Sequence, residues 1–193
     1  MEKRNMQATK VVTGPDTRLS YAHIWEPKSI NGSDPKYSVS LIIPKTDTKT
    51  VAAIQNAIKA AYDEGLSKLK GNGKTAPALS AIKQPLRDGD AERPDDEAYA
   101  GCYFMNASSK NQPQIVDKQV QPILDQSEVY SGCYGRVSVN FYAFNSNGNK
   151  GIACGLGNIQ KIRDGERLGG GPTSATEDFE AYGAADTGAD FLA

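Results

Sequence analysis

The chain has 193 residues, of which 38% are hydrophobic and 23% are charged, and its formal net charge is −1. This length suits one domain with short appendages, and no apolar run approaches the roughly 20 residues of a membrane span. The polar N-terminus contains no apolar signal-peptide core, so we expect a cytoplasmic protein that does not enter a membrane.

The small net charge hides an uneven distribution along the chain. All 22 Lys and Arg residues lie at or before Arg167, together with 18 carboxylates, whereas residues 168–193 contain five carboxylates and no basic residue. The body therefore carries +4 and the tail −5. This division is typical of a polyanion-binding body with an acidic interaction tail. The tail is too polar to form a core, although it contains three aromatic residues.

The first half of the chain predicts two strands and a helix. Residues 17–27 and 36–44 alternate apolar and polar side chains, as half-buried strands do. From residue 51 to 69 the apolar residues recur with the period of a helix. The polar residues 71–98 then form a long connection, and a loop of this length is usually functional or disordered.

The second half is dominated by strands. Residues 99–108 and 114–117 have strand character, and residues 133–144 and 150–162 form a hairpin around a turn rich in Asn and Gly. Residues 167–178 resemble a linker. About six strands with one long helix predict a mainly β fold, in the form of a small barrel.

The hairpin strand has two distinct faces. One face suits a core and contains Cys133, Gly135, Val137, Val139, Phe141 and Ala143. The other interleaves rings, a cation and hydrogen-bonding groups, namely Tyr134, Arg136, Ser138, Asn140, Tyr142 and Phe144. Single-stranded nucleic acid favours such a face, because bases stack on rings and phosphates bind cations. The alternative is a second apolar cluster that the helix covers.

The strand at residues 17–27 carries a similar group of side chains. Strict alternation gives it a face with Leu19, Tyr21, His23 and Trp25, preceded by Arg18. Tyr21 and Trp25 either stack on bases or belong to the core. We expect neither metal binding nor catalysis from His23, the only histidine, because a catalytic histidine needs a positioned partner.

Enzyme and metal-site signatures fail on inspection. Residues 71–75, GNGKT, lack the first Gly of a phosphate-binding loop and follow a helix. Residues 88–92 place carboxylates at alternate positions, as calcium loops do, but Arg93 and Tyr99 occupy the positions of the turn Gly and the bidentate Glu. We therefore expect a solvated acidic loop and no metal, cofactor or catalysis. The alternative is a metal-dependent nuclease that uses Asp88–Glu97.

The cysteines add no further site. Cys102, Cys133 and Cys154 are odd in number and include no CxxC pair, so the sequence predicts free, buried thiols.

Taken in order, five segments of this chain resemble the OB-fold single-stranded DNA-binding proteins of tailed bacteriophages and prophages, from about Arg18 to Arg167. They are LSYAHIWEPKSING, KYSVSLIIPK, LRDGD, YSGCYGRVSVNFYAF and NKGIACGLGNIQKIRDGERLGG. The resemblance implies an OB-fold domain in residues 1–167 and a disordered acidic tail in residues 168–193. The tails of such proteins commonly end on Phe, whereas here Leu192 and Ala193 follow Phe191.

The sequence therefore predicts a sequence-tolerant single-stranded DNA-binding protein of phage replication or recombination, acting in the bacterial host cytoplasm, with its oligomeric state left open. The predicted DNA-binding residues are Arg18, Tyr21, Trp25, Lys36, Tyr134, Arg136, Asn140, Tyr142 and Phe144. The tail is expected to compete with DNA and to contact phage replication or recombination proteins through Glu177, Asp178, Phe179, Tyr182, Asp190 and Phe191. Besides the nuclease, a structural phage protein with a β-barrel body is an alternative.

Overall fold

The computed structural model describes residues 8–169 and 175–182, and this part of the chain is mainly β. Its strands are β1 (Lys10–Val12), β2 (Arg18–Lys28), β3 (Lys36–Pro44), β4 (Arg87–Asp88), β5 (Cys102–Ser109), β6 (Ile115–Val116), β7 (Tyr134–Ser146) and β8 (Asn149–Arg163). Its helices are α1 (Thr48–Glu64), α2 (Leu66–Lys70), α3 (Gly89–Glu92) and α4 (Ala175–Asp178), besides three short 3₁₀ turns. No helix in these two ranges is long and apolar enough to cross a membrane.

Five of the strands close into a ring. β2 pairs with β3, β3 with β5 and β7 with β8 in antiparallel fashion, while β5 runs parallel to β8. The ring closes where β7 meets β2, with Arg18 opposite Tyr134. There the Leu19 N–H donates to the carbonyl of Cys133 at 2.9 Å. β1 lies outside the ring and pairs with the middle of β7.

The interior of the ring is the core of the protein. Six residues, Cys133 and five residues of β7, were predicted to face the core. All six are buried, so this prediction is confirmed. α1 packs against β1, β7 and β8 and buries Ile54 and Ile58. The helix begins after Asp47, whose carboxylate accepts a hydrogen bond from the Thr50 N–H.

The cysteine predictions are confirmed in part. All three cysteines are free, and Cys133 and Cys154 are buried, but Cys102 is only half-buried. Burial raises the pKa of Cys154 to about 12, because a thiolate is unfavourable in an apolar environment. These two thiols behave as small core side chains.

Part of the long polar connection packs against the sheet at its two ends, while residues 90–97 between them are exposed, as expected for a solvated acidic loop. We name residues 87–99 the cover loop. Its first two residues form β4, which pairs with β5 opposite Phe104 and Tyr103. Its last residue, Tyr99, packs edge-on against Phe104 with ring centroids 5.1 Å apart, and both rings are buried. The cover loop is therefore anchored at both ends.

The segment after β8 also crosses the outside of the ring, and we name residues 164–169 the strap. Arg18 Nη2 donates to the carbonyl of Glu166 at 2.6 Å, and the Leu168 N–H donates to the carbonyl of Ser131 at 2.9 Å. Leu168 packs against the cluster that contains Tyr99 and Phe104. The strap thus brings the end of the body beside the cover loop.

Candidate nucleic-acid interface

A β-bulge in β2 changes the faces that strict alternation predicts. Ser20 pairs with Ser40 and His23 with Ser38, so two residues of β2 stand opposite one residue of β3. Tyr21, in this bulge, has φ of +45° and is 60% exposed.

Beyond the bulge the inward and outward positions exchange, because strand side chains alternate with a period of two. Leu19 and Ile24, five positions apart, are therefore both fully buried. The predicted common face of Leu19, Tyr21, His23 and Trp25 is wrong for this reason.

An open groove with a volume of about 470 Å³ lies on the outer side of β2, β3 and β5. Five of its lining residues are Tyr21, His23 and Lys28 of β2, Ile30 of the β2–β3 turn and Arg93 of the cover loop. The neighbouring strands β3 and β5 contribute small polar side chains, namely Ser38, Ser40, Asn106 and Ser108.

The exposed groups of the groove suit a flexible polyanion with aromatic bases. The ring of Tyr21 offers a surface on which a base can stack, and the side chain of Ile30, which is 63% exposed, offers apolar contact. Lys28 and Arg93 supply positive charge, and the backbone of Lys36 lies opposite that of Lys28 where the two strands meet the β2–β3 turn. The hydroxyl and amide groups between them offer hydrogen bonds.

Unlike Lys45, Arg87, Lys161 and Arg163, the cations of the groove have no carboxylate partner in the described part of the chain. Within residues 8–169 and 175–182, the ion pairs are Lys45 with Asp88 and Asp90, Arg87 with Glu92, Lys161 with Asp164, and Arg163 with Asp16. None of these pairs includes Lys28, Lys36 or Arg93. Their charge is therefore available to a ligand.

His23 adds a titratable group to the groove. Partial burial lowers the pKa of His23 from its ordinary value of 6.5, and the positive charge of Lys28 lowers it further. The imidazole is consequently neutral near pH 7, and it gains a positive charge only in more acidic solution.

The predicted DNA-binding residues of β2 and the start of β7 lie in different environments. Tyr21 lies in the groove. Trp25 is half-buried against the core, and its indole N–H donates to the carbonyl of Val129 at 3.1 Å. Arg18 Nε donates to the carbonyl of Gly132 at 3.0 Å. Its guanidinium, which also donates to the strap, is therefore engaged with backbone carbonyl groups.

Tyr134 is already covered by cations. The guanidinium carbon of Arg163 lies 3.9 Å from the centre of the Tyr134 ring, and that of Arg18 lies 5.5 Å from it. A base would have to displace one of these cations to stack on this ring.

The outer face of β7 forms a surface distinct from the groove residues. Arg136, Asn140 and Tyr142 are exposed and Phe144 is half-buried, so α1 does not cover this face and the alternative of a hidden cluster is wrong. Arg136 Nε donates to the carbonyl of Thr13, and Asn140 accepts a hydrogen bond from the Thr9 hydroxyl at 2.7 Å. Two of its polar groups thus hold the N-terminal segment.

The predicted partner-binding residues are described only in part. Phe179 and Tyr182 are exposed, and Glu177 and Asp178 lie in α4. Asp190 and Phe191 lie outside the described residues.

Two of the carboxylates of the nuclease alternative, Asp88 and Asp90, are engaged in ion pairs. Lys45 Nζ lies 2.8 Å from both Asp88 Oδ1 and Asp90 Oδ2. Its hydrogen bonds lower the pKa of each carboxyl, and they raise the pKa of Lys45. In the described part of the chain, no three His, Cys, Asp or Glu side chains are grouped to hold a metal ion.

Comparison with known proteins agrees with the sequence resemblance. The family model described as "Enterobacter phage Enc34, ssDNA-binding protein" matches residues 9–192. The chain belongs to this family. It is also 33% identical over 172 residues to protein p50 of Acyrthosiphon pisum secondary endosymbiont phage 1, covering 86% of this chain and 90% of the relative.

Solved structures show the same fold. The single-stranded DNA-binding protein from bacteriophage Enc34 in complex with ssDNA has 24% identity and a TM-score of 0.66, covering 84% of this chain and 91% of that one. Its C-terminal truncation has 21% identity and a TM-score of 0.69, with coverages of 84% and 90%. Gp2.5, a single-stranded DNA binding protein encoded by bacteriophage T7, has 17% identity and a TM-score of 0.58, with coverages of 90% and 96%.

Several residues of the groove were not predicted from the sequence. Ser38 and Ser40 were recognisable as the polar side of a strand, but nothing local placed them beside Asn106. Arg93 gave one usable signal, since it is a cation in a run of carboxylates. Lys28 and Ile30 flank a turn and carry no local signal.

The different environments of the two β2 rings predict different effects on stability. Trp25→Ala should lower the free energy of unfolding by about 2–4 kcal/mol, because it removes a ring packed on the core. Tyr21→Ala should change it by less than about 0.5 kcal/mol, because its ring is mostly exposed. Denaturant titrations of both variants measure these changes. Equal losses of stability would contradict the assignment of Tyr21 to the groove and Trp25 to the core.

Proposed function

We propose that this protein binds single-stranded DNA, with little sequence preference, in the groove on the outer side of β2, β3 and β5. One observation carries the proposal: the exposed ring of Tyr21 shares the groove with Lys28 and Arg93, which have no carboxylate partner in the described residues. Stacking rings beside available cations are what single strands require. Membership of a family described by a phage ssDNA-binding protein supports the same conclusion.

The ring of strands is, in this proposal, an OB-fold. An OB-fold is a five-stranded Greek-key barrel that binds oligonucleotides on the face of its second and third strands and on neighbouring loops. The ring strands in chain order are β2, β3, β5, β7 and β8, so the second and third are β3 and β5. The groove lies on these two strands, and Ile30 belongs to the first loop between ring strands.

Sequence tolerance follows from the kinds of group in the groove. Stacking on Tyr21 accepts any base, because every base has a π-face. Phosphate contacts carry no sequence information.

A binding protein accounts for the cover loop better than a nuclease does. Asp88 and Asp90 each bind Lys45, and a metal ion would have to displace that cation. The family description also favours DNA binding over a purely structural phage protein. We expect single- and double-stranded DNA to remain whole in Mg²⁺ or Mn²⁺.

We further propose that residues 168–193 act as an acidic tail that competes with DNA and contacts phage replication or recombination proteins in the host cytoplasm. Leu168 and Gly169 line a cleft that shares Tyr21 with the groove, so the tail begins beside the proposed DNA site. The 24 residues that follow have a span of roughly 5–6 Å × √24, or about 27 Å, if flexible. The exposed rings of Phe179 and Tyr182 are candidates for partner contacts.

A salt-titrated binding series with oligothymidylate tests the DNA-binding proposal. If about four phosphates are neutralised, log K should fall with log salt at a slope of about −3. Tyr21→Ala should weaken binding by about 1–3 kcal/mol, because one stacking ring is lost. Absence of binding, or a flat salt response, would contradict the proposal.

Charge-matched variants in the same series locate the site. Arg93→Gln should reduce the magnitude of the salt slope by about 0.7, the value for one phosphate contact of a single strand. Lys59→Gln removes an exposed charge from α1, outside the groove, and should leave the slope unchanged. Tyr142→Ala tests whether the outer face of β7, which stays a predicted contact, also binds DNA.

His23 predicts an increase in affinity at acidic pH. A phosphate in the groove favours the protonated imidazole, whose pKa in the free protein lies below 6.5. Between pH 7.5 and 5.5 the affinity of the native protein should rise about threefold more than that of His23→Gln, a gain typical of one exposed ion pair. Groups that titrate elsewhere affect both proteins equally. Identical pH profiles would remove His23 from the site.

Deletion of residues 173–193 should raise affinity for single-stranded DNA, most clearly at low salt, because five competing carboxylates are lost. A second variant retains all carboxylates but has Phe179, Tyr182 and Phe191 replaced by Ala. If it restrains binding as well as the native tail, competition is purely electrostatic and the rings serve partner proteins. An unchanged affinity after the deletion would contradict competition itself.

A further inference from the structure

Some charged groups of the cover loop form ion pairs, whereas others have no such partner within the described residues. The carboxylates of Asp88 and Asp90 bind Lys45, and Glu92 binds Arg87 at 2.8 Å. These three acids hold the loop in its own fold.

The remaining charged groups of the loop are Arg93, Asp95, Asp96 and Glu97, and the first of them lies in the groove. Arg93 lines it directly, with its guanidinium carbon 5.5 Å from the ring centres of Tyr99 and Phe104. Asp96 lines the adjoining cleft that shares Tyr21. Asp95 and Glu97, on either side of Asp96, are exposed and form no ion pair within the described residues.

We propose that the cover loop selects single-stranded over double-stranded DNA, an inference that rests on the proposed DNA-binding function. Arg93 attracts the one backbone that enters the groove, while Asp95 and Glu97 repel a second backbone at its rim. The loop is anchored by β4 and by Tyr99, so these charges keep their positions while DNA approaches.

Charge density explains why the same carboxylates act differently on the two forms. A duplex carries one negative charge per 1.7 Å of its axis, whereas each strand carries one per 3.4 Å. Fixed carboxylates act on phosphates within a Debye length of about 10 Å at 0.1 M salt. A duplex places about twice as many phosphates in that range, and its second strand gains no contact with Arg93. Selectivity then arises from a repulsive element as well as an attractive one.

The test compares single- and double-stranded oligonucleotides of equal length on the full chain at low salt. The variant Asp95→Asn with Glu97→Gln removes two charges and leaves Asp96, which accepts a hydrogen bond from the Ala98 N–H, in place. We expect its preference for the single strand to fall about threefold, mainly through tighter duplex binding, since the repulsion on the denser phosphates is relieved.

A matched control separates this local effect from a change in net charge. Asp63→Asn with Glu128→Gln also removes one Asp and one Glu, both exposed and outside the groove and the cleft beside it, and should leave the preference unchanged. An unchanged preference in the cover-loop variant, or an equal change in both variants, would overturn the inference. If the native chain binds single strands and Tyr21→Ala weakens that binding, such a result rejects the cover loop's role alone. Absence of single-strand binding rejects the proposed function first.

Discussion

The proposed interface depends on the backbone conformation of Tyr21. A residue with a side chain at φ of +45° costs roughly 1–3 kcal/mol, and it persists only where the surrounding structure imposes it. Here the pairing of Ser20 with Ser40 and of His23 with Ser38 fixes both sides of the bulge. The same strand must close the ring of strands at Leu19 and must also present the aromatic side chain of Tyr21 to solvent. The bulge reconciles these demands, and bulges near functional sites often re-aim a side chain in this way.

The distribution of ion pairs complements this geometry. Lys45 and Arg87 fasten the cover loop, while Arg163 pairs with Asp16 and lies over Tyr134. These cations stabilise loops, and their charge is largely compensated. Lys28 and Arg93 keep their charge beside Tyr21. A chain with a net charge near zero can therefore present a positive groove, because the compensation of charge is local.

The parts of the fold that sequence predicted best are those with unbroken periodicity. β7 alternates from Tyr134 to Phe144, and its core face was identified completely because the register shifts of the β7–β8 ladder place their extra residues in β8. β2 was assigned as a strand, but its faces were not, since Tyr21 gives no sequence signal for a positive φ. The cover loop could not be predicted, because its acids pair with Lys45, about 45 residues away, and its first residues pair with β5. Likewise the Tyr134 ring is recognisable in sequence, but the Arg163 that covers it is not.

The position of a bound strand in a crystal structure of this protein with a short oligothymidylate tests the proposed interface most directly. We expect a base against the ring of Tyr21 and phosphates beside Lys28 or Arg93, on the outer side of β2, β3 and β5. A strand that follows the outer face of β7 past Tyr142, with the groove unoccupied, would contradict the proposed interface.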